Sequence, residues 1–170
     1  MPAGLKQSSS LVAIGFSVPE SAPNTFSQGQ VDLNLSPLDR EVFVVLAVNL
    51  DPESPDAISG IDTTTNGSLT TTRQSGVVSL ANSNCLSVCS ERIRAAGFTD
   101  GGVGFQQQSL ETPPSTLEYI GIIATNDFFI QIQGTNNFAA KGISGKLYGY
   151  RAVASADIFA ALVQSEVLSA

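Results

Sequence analysis

Val42 to Val48, VFVVLAV, is an unbroken apolar run set between Asp39-Arg40-Glu41 and a loop carrying Asp51, Glu53 and Asp56. Seven residues fall far short of the ~20 that cross a bilayer, and a run this rich in valine has little preference for helix. A half-exposed strand alternates apolar and polar residues; a continuous run marks a strand covered on both faces. The chain must therefore lay structure over either side of this segment, which a sandwich of sheets provides. The flanking charges mark where the strand surfaces.

Similar short runs recur between turn signals. Strands are expected near Ser10 to Val18, Gln30 to Leu35, Val42 to Asn49, Ser68 to Thr72, Val77 to Leu80, Gly102 to Gln108, Leu117 to Ala124, Phe128 to Gln133 and Gly142 to Ala152. VDLNLS alternates strictly. LEYIGIIATNDFFIQIQG reads as a hairpin turning at Thr125-Asn126-Asp127, with Phe129 (or Phe128), Ile130 and Ile132 competing for the inner face. Two helices are expected. NCLSVCSERIRAAG offers Leu86, Cys89, Ile93 and Ala96 on one face with Gly97 as a stop. In SADIFAALVQSEVLSA, Ser155 stands at the cap and Asp157 in the first turn, and Phe159, Leu162, Val163 and Val167 form an apolar stripe. The fold class that follows is mainly β: an antiparallel β-sandwich with one short internal helix and a C-terminal helix. Residues 1–10 read as an N-terminal arm, 11–154 as the sandwich, and 155–170 as a helix of the same domain.

Composition narrows the function. Fifteen acids against eight bases give a net charge of −7, and no stretch gathers the Lys and Arg, so no field draws in a phosphate backbone. Direct nucleic-acid binding is not expected. The chain has no His, which removes the commonest general base, metal ligand and partner of a Ser or Cys nucleophile. Cys85 and Cys89 stand four apart, on one face if the segment is helical, where disulfide geometry is poor; two thiols are expected. Neither a cofactor nor a membrane span is expected. The N-terminal MPAGLKQSSSLVAIGFSVPESA has a Lys and an apolar patch but no small-x-small cleavage site, so an uncleaved protein made in the cytoplasm is expected.

Candidate sites are few. Asp51, Glu53 and Asp56, with Asp62 nearby, are hard oxygen ligands in a loop that could hold Ca²⁺. Their spacing lacks the central Gly and terminal Glu of an EF-hand, and a solvated turn shaped by two prolines is the stronger reading. TDGGVG has the glycines of a phosphate loop without its Lys-Ser/Thr ending. Glu111, Glu118 and Asp127 offer carboxylate pairs of the kind glycoside hydrolysis uses, in a chain with no Trp. In SERIRAAG, Glu91, Arg92 and Arg94 read as a solvated or subunit-bridging face. The stripe Phe159, Leu162, Val163 and Val167 must cover something, either its own sandwich or a neighbouring subunit, and is the candidate assembly element.

From Leu11 to Ala154 the order of strands and the length of the Ser/Thr/Asn-rich loops resemble those of the small jelly-roll capsid subunits of tailless icosahedral viruses. In general character the chain is also similar to the β-rich structural proteins of marine phages. The resemblance implies a jelly-roll-like sandwich, a shell protein without catalysis, and a place in the virion. Its partners would be copies of itself and other virion proteins. MPAGLKQSSS departs from the basic N-terminal arm of many shell proteins that package single-stranded genomes, so the genome would be held by other means. A surface or secreted β-sandwich binding module is the alternative, and a carboxylate-based glycoside enzyme a third reading.

Overall fold

A computed structural model of the chain describes residues 2–97, 105–110 (backbone) and 116–169. Its elements are β1 (Leu5–Gln7), β2 (Val12–Pro19), β3 (Ser27–Asp32), β4 (Glu41–Pro52), β5 (Thr63–Thr70), β6 (Cys85–Arg94), β7 (Phe105–Leu110), β8 (Gly121–Ile123), β9 (Asp127–Thr135), β10 (Gly142–Ala154) and α1 (Ala156–Leu168). Every strand pairing is antiparallel. One sheet runs β1-β10-β4-β8, with β2 continuing along the β1 edge of β10; the other runs β3-β9-β5-β6-β7. The chain is mainly β, two antiparallel sheets forming a sandwich.

Four of the pairings are nested. β5 pairs with β6, β4 with β8, β3 with β9 and β2 with β10, each pair enclosing the one before it. Such a ribbon alone would be one long hairpin. The added contacts β4 to β10 and β5 to β9 roll it up and deal its pairs alternately to the two sheets.

The valine run behaves as its composition demands. Phe43 and Val45 enter the core between the sheets, whereas Val42 and Val44 point to the opposite face, and all four are at most 1% exposed. Opposite β10 the register skips Leu46, since Tyr148 pairs with Ala47 and Gly149 with Val45. This bulge shifts the alternation by one residue, so Val48 and Leu50 join Phe43 and Val45 against the inner core. That core is completed by Leu69, Ile123, Phe128, Ile130, Ile132, Ile143 and Leu147. Phe16 meets Phe128 edge to face at 5.9 Å, the favoured aromatic geometry.

Two glycines of β10 make this packing possible. A Cβ on Gly149 would overlap the Val44 carbonyl oxygen and the Phe43 ring; one on Gly145 would overlap the Asn49 carbonyl oxygen and the Phe16 ring. The rings occupy the space these residues leave.

The outer face of the first sheet is covered by α1. Ile158, Phe159, Leu162 and Val163 pack on Val42, Val44, Tyr150, Ala152, Ala154 and Leu5. The molecule is thus three layers deep at β4: second sheet, first sheet, helix. Ser155 stands at the N-cap in extended conformation without a side-chain capping bond, and Asp157 lies in the first turn.

Several sequence expectations are corrected. The internal helix at Cys85–Gly97 is strand β6. Ser87, Cys89 and Glu91, all buried, stand opposite Leu69, Gly67 and Thr65 with period two, while Ser90 is buried on the other face, and polar side chains on the inner face hid that alternation. In a strand, residues four apart lie about 13 Å from each other, out of disulfide reach. Burial pushes the Cys89 thiol up to about 12, so it is an inert core residue. Val77–Leu80 is loop. LEYIGIIATNDFFIQIQG is not a hairpin: β8 and β9 lie in different sheets. Asn126 holds the crossing by accepting from Leu33 N–H through its backbone carbonyl (2.7 Å) and from Leu35 N–H through Oδ1 (2.6 Å). The N-terminal arm includes a strand, β1, paired with the end of β10. The expected strand at Gly102–Gln108 falls partly outside the described residues.

Candidate functional site

The register places the end of β2, the start of β10 and the end of β4 together, Pro19 opposite Gly142 and Ile143 opposite Pro52. The β2–β3, β4–β5 and β9–β10 loops therefore meet at one end of the sandwich. Loops carry polar backbone groups that must be paired wherever they are covered, and here side chains do the pairing. Buried Glu20 accepts from Gly134 N–H (3.0 Å) and Lys141 N–H (2.8 Å). Asn137, also buried, touches three segments: Asn24 through reciprocal bonds, Asp56 N–H through its Oδ1, and the Thr64 carbonyl through its Nδ2. Asn24 and Asn136 supply the positive φ angles these turns require, 58° and 59°.

The acidic loop belongs to this framework. Asp56 accepts from Phe138 N–H (2.8 Å) and Ala139 N–H (3.0 Å) and pairs with Lys141 Nζ at 2.7 Å. The lysine bond, followed by the Ala139 N–H, holds its carboxyl below the usual range. Glu53 accepts from Gly142 N–H (3.1 Å). Asp62 accepts from Ala95 and Ala96 N–H and lies 3.5 Å from Arg94. Asp51 lies on β4, on the wall of a shallow cleft it shares with Glu53. The candidate calcium ligands Asp51, Glu53 and Asp56 are thus not gathered around one point. Among the described residues no three His, Cys, Asp or Glu side chains form a metal-sized cluster.

One residue at this end is not accounted for by the framework. The backbone of Phe138 is anchored to Asp56, yet its side chain is 78% exposed. Ile61, 41% exposed, neighbours Asp62, whose carbonyl accepts from Asn136 Nδ2. An aromatic ring on a pre-ordered loop can bury itself against another surface with little ordering cost. Periodicity cannot find such a residue. The only sequence signal is an aromatic inside the glycine- and asparagine-rich QGTNNFAAKG.

The other candidates are dispersed. Glu111 and TDGGVG lie outside the described residues, Glu118 is exposed, and Asp127 stands opposite Asp32 across the β3–β9 pair. Burial, then the Asp32 charge, raises the Asp127 carboxyl. Arg92 and Arg94 lie on β6 rather than on a helix. Of the stripe on α1, Phe159, Leu162 and Val163 are half-buried on their own sheet, while Val167 and Leu168 remain 59% and 75% exposed. Among the described residues no helix is long and apolar enough to cross a membrane.

A residue missed by the stripe reading is Glu166, which faces the protein. Its carboxylate accepts from Ala124 N–H (2.7 Å), Thr125 N–H (3.2 Å) and Thr125 Oγ1–H (2.7 Å), tying the end of α1 to the β8–β9 crossing. Burial nonetheless pushes its carboxyl above the ordinary value of 4.5, and the Asp127 charge adds to this. A raised carboxyl favours the folded state most below about 4.5, and that contribution is lost as pH rises through the folded-state value. Glu166→Gln should therefore gain stability relative to the native chain as pH rises from 4.5 toward neutrality. Denaturant midpoints of both proteins across this range test it; parallel pH profiles would show that the carboxyl is not strained by burial.

Comparison of the chain with protein-family models, with curated proteins and with solved structures finds no match.

Proposed function

We propose that the protein is a jelly-roll shell subunit, a virion structural protein that assembles with copies of itself and performs no catalysis. The observation that carries this reading is the nested pairing of β2 with β10, β3 with β9, β4 with β8 and β5 with β6, rolled into two four-stranded layers with β1 and β7 added. A jelly roll is built of two Greek keys and is an architecture used by capsid domains, and this nesting supports that reading. Further support comes from the ordered loop end: a subunit whose contact loops are already fixed assembles without an ordering cost, and Phe138 supplies an anchor there. The charge distribution fits a shell that leaves genome binding to other components.

Electron microscopy and sedimentation of the purified chain test the reading. Closed particles or regular lattices are expected, and Phe138→Asp should abolish them while leaving the far-ultraviolet circular dichroism unchanged. A chain that stays monomeric at high concentration refutes a shell role. A surface or secreted β-sandwich binding module would show that monomeric behaviour.

A further inference from the structure

The loop between β5 and β6, residues 71–84, folds back over the outer face of the second sheet, and its two halves do so differently. The first half is sealed down. Gln74 exchanges bonds with Gln28, at 2.9 Å from its N–H to Oε1 and 3.2 Å from Gln28 Nε2 to its carbonyl. Gln131, fully buried beneath, joins Gln28, Thr70 and Ser68. Beyond Val78, whose N–H reaches Ser68 Oγ at 3.3 Å, the loop stands off and leaves a cleft of about 620 Å³.

The two sides of this cleft are chemically unlike. Its wall is Val77, Val78 and Leu80, the last 57% exposed. On its floor, Asn66, Ser90 and Arg92 form a relay: Arg92 Nε donates to Ser90 Oγ (3.1 Å), which donates to Asn66 Oδ1 (2.7 Å). The relay fixes the guanidinium by its Nε, and among the described residues its two Nη groups have no partner. Among the described residues no carboxylate lines the cleft, although the chain carries fifteen acids against eight bases. Packed proteins rarely leave an apolar wall and a guanidinium whose Nη groups have no partner among the described residues facing one space, since closing the loop would gain contacts. The volume falls within the range of small-molecule sites, which combine apolar walls with a few convergent polar groups. The planar Nη fork matches a carboxylate.

We propose that this cleft binds a monocarboxylate with a short aliphatic chain, the head group on Arg92 and the chain along Val77, Val78 and Leu80. Among the described residues no aromatic side chain lines the cleft. The site is independent of shell assembly.

Titration of the full chain with octanoate, followed by calorimetry and by amide and side-chain NMR shifts, tests the assignment. One octanoate should bind saturably, with shifts at Asn66 and Arg92. Arg92→Gln should weaken it at least tenfold, and Leu80→Ser, a change at an exposed position that leaves the fold intact, by several-fold. Acetate and inorganic sulfate, which carry charge without a chain, and 1-octanol, which carries the chain without charge, should each bind at least tenfold more weakly. The proposal is overturned by an absence of saturable octanoate binding, by native affinity in either variant, or by any control matching octanoate.

Discussion

Deleting residues 155–169 should leave a chain that no longer folds to a soluble protein. The helix is not an appendage. Four of its side chains, Ile158, Phe159, Leu162 and Val163, are half-buried on Val42, Val44, Tyr150 and Ala152. Full burial of such a side chain stabilises by about 1.5–3 kcal/mol, so half burial of four contributes roughly 3–6 kcal/mol. That is comparable with the ~5–15 kcal/mol that holds a whole domain. The exposed sheet would also present the valine run to solvent, an aggregation surface. Soluble yield and circular dichroism of the truncated chain decide the matter. A soluble, β-rich product unfolding within ~1 kcal/mol of the native chain would mean that α1 is dispensable and free to serve a neighbour.

Gly149→Ala should be nearly as damaging, although it adds one methyl group. The new Cβ would overlap a main-chain oxygen, Val44 O, in the central pair of the sheet, as well as the Phe43 ring. A flexible side chain could turn away, but a paired backbone cannot, so the cost should lie at or beyond the upper end of the ~1–3 kcal/mol usual for overpacking. Gly15→Ala on β2 is the matched control: a Cβ there meets nothing within 4 Å. Removing a glycine from a strand without a clash is neutral or mildly stabilising. If the two variants unfold at the same denaturant concentration, the close approach of β10 to β4 is not what requires glycine at 149.

Apolar content and its alternation made most of the sandwich legible. The run at 42–48 and the β-branched limb from Phe128 placed strands correctly, and the terminal stripe marked a helix, whereas of VDLNLS only Val31 and Asp32 belong to β3, which ends there. β6 was misread because its inner residues Ser87, Cys89 and Glu91 are not the ones that signal a core, while Leu86 and Ile93 happen to fit a helical spacing. The false hairpin at Thr125–Asp127 arose because local turn chemistry cannot say which sheet the chain enters next. That choice is made by Asn126 reaching residues 33 and 35, more than ninety positions away. The loop end was less legible still: Glu20, Asn24, Asp56 and Asn137 carry no common motif, and only the fold brings them into one network.

The nested pairing also sets a timetable for the chain as it is made. The innermost pair, β5 with β6, can close once residue 94 has emerged, across a connection of residues 71–84. Each outer pair must wait for a later partner, and β2 waits for β10, which begins at Gly142. At about 5–20 residues per second, the wait between β2 and β10 is on the order of ten seconds. Closing a loop is less costly when its interior is already tied, so the pairs should form from the inside outward. During that interval the N-terminal strands have no sheet to join, and the nascent chain must stay unaggregated until its last strand arrives.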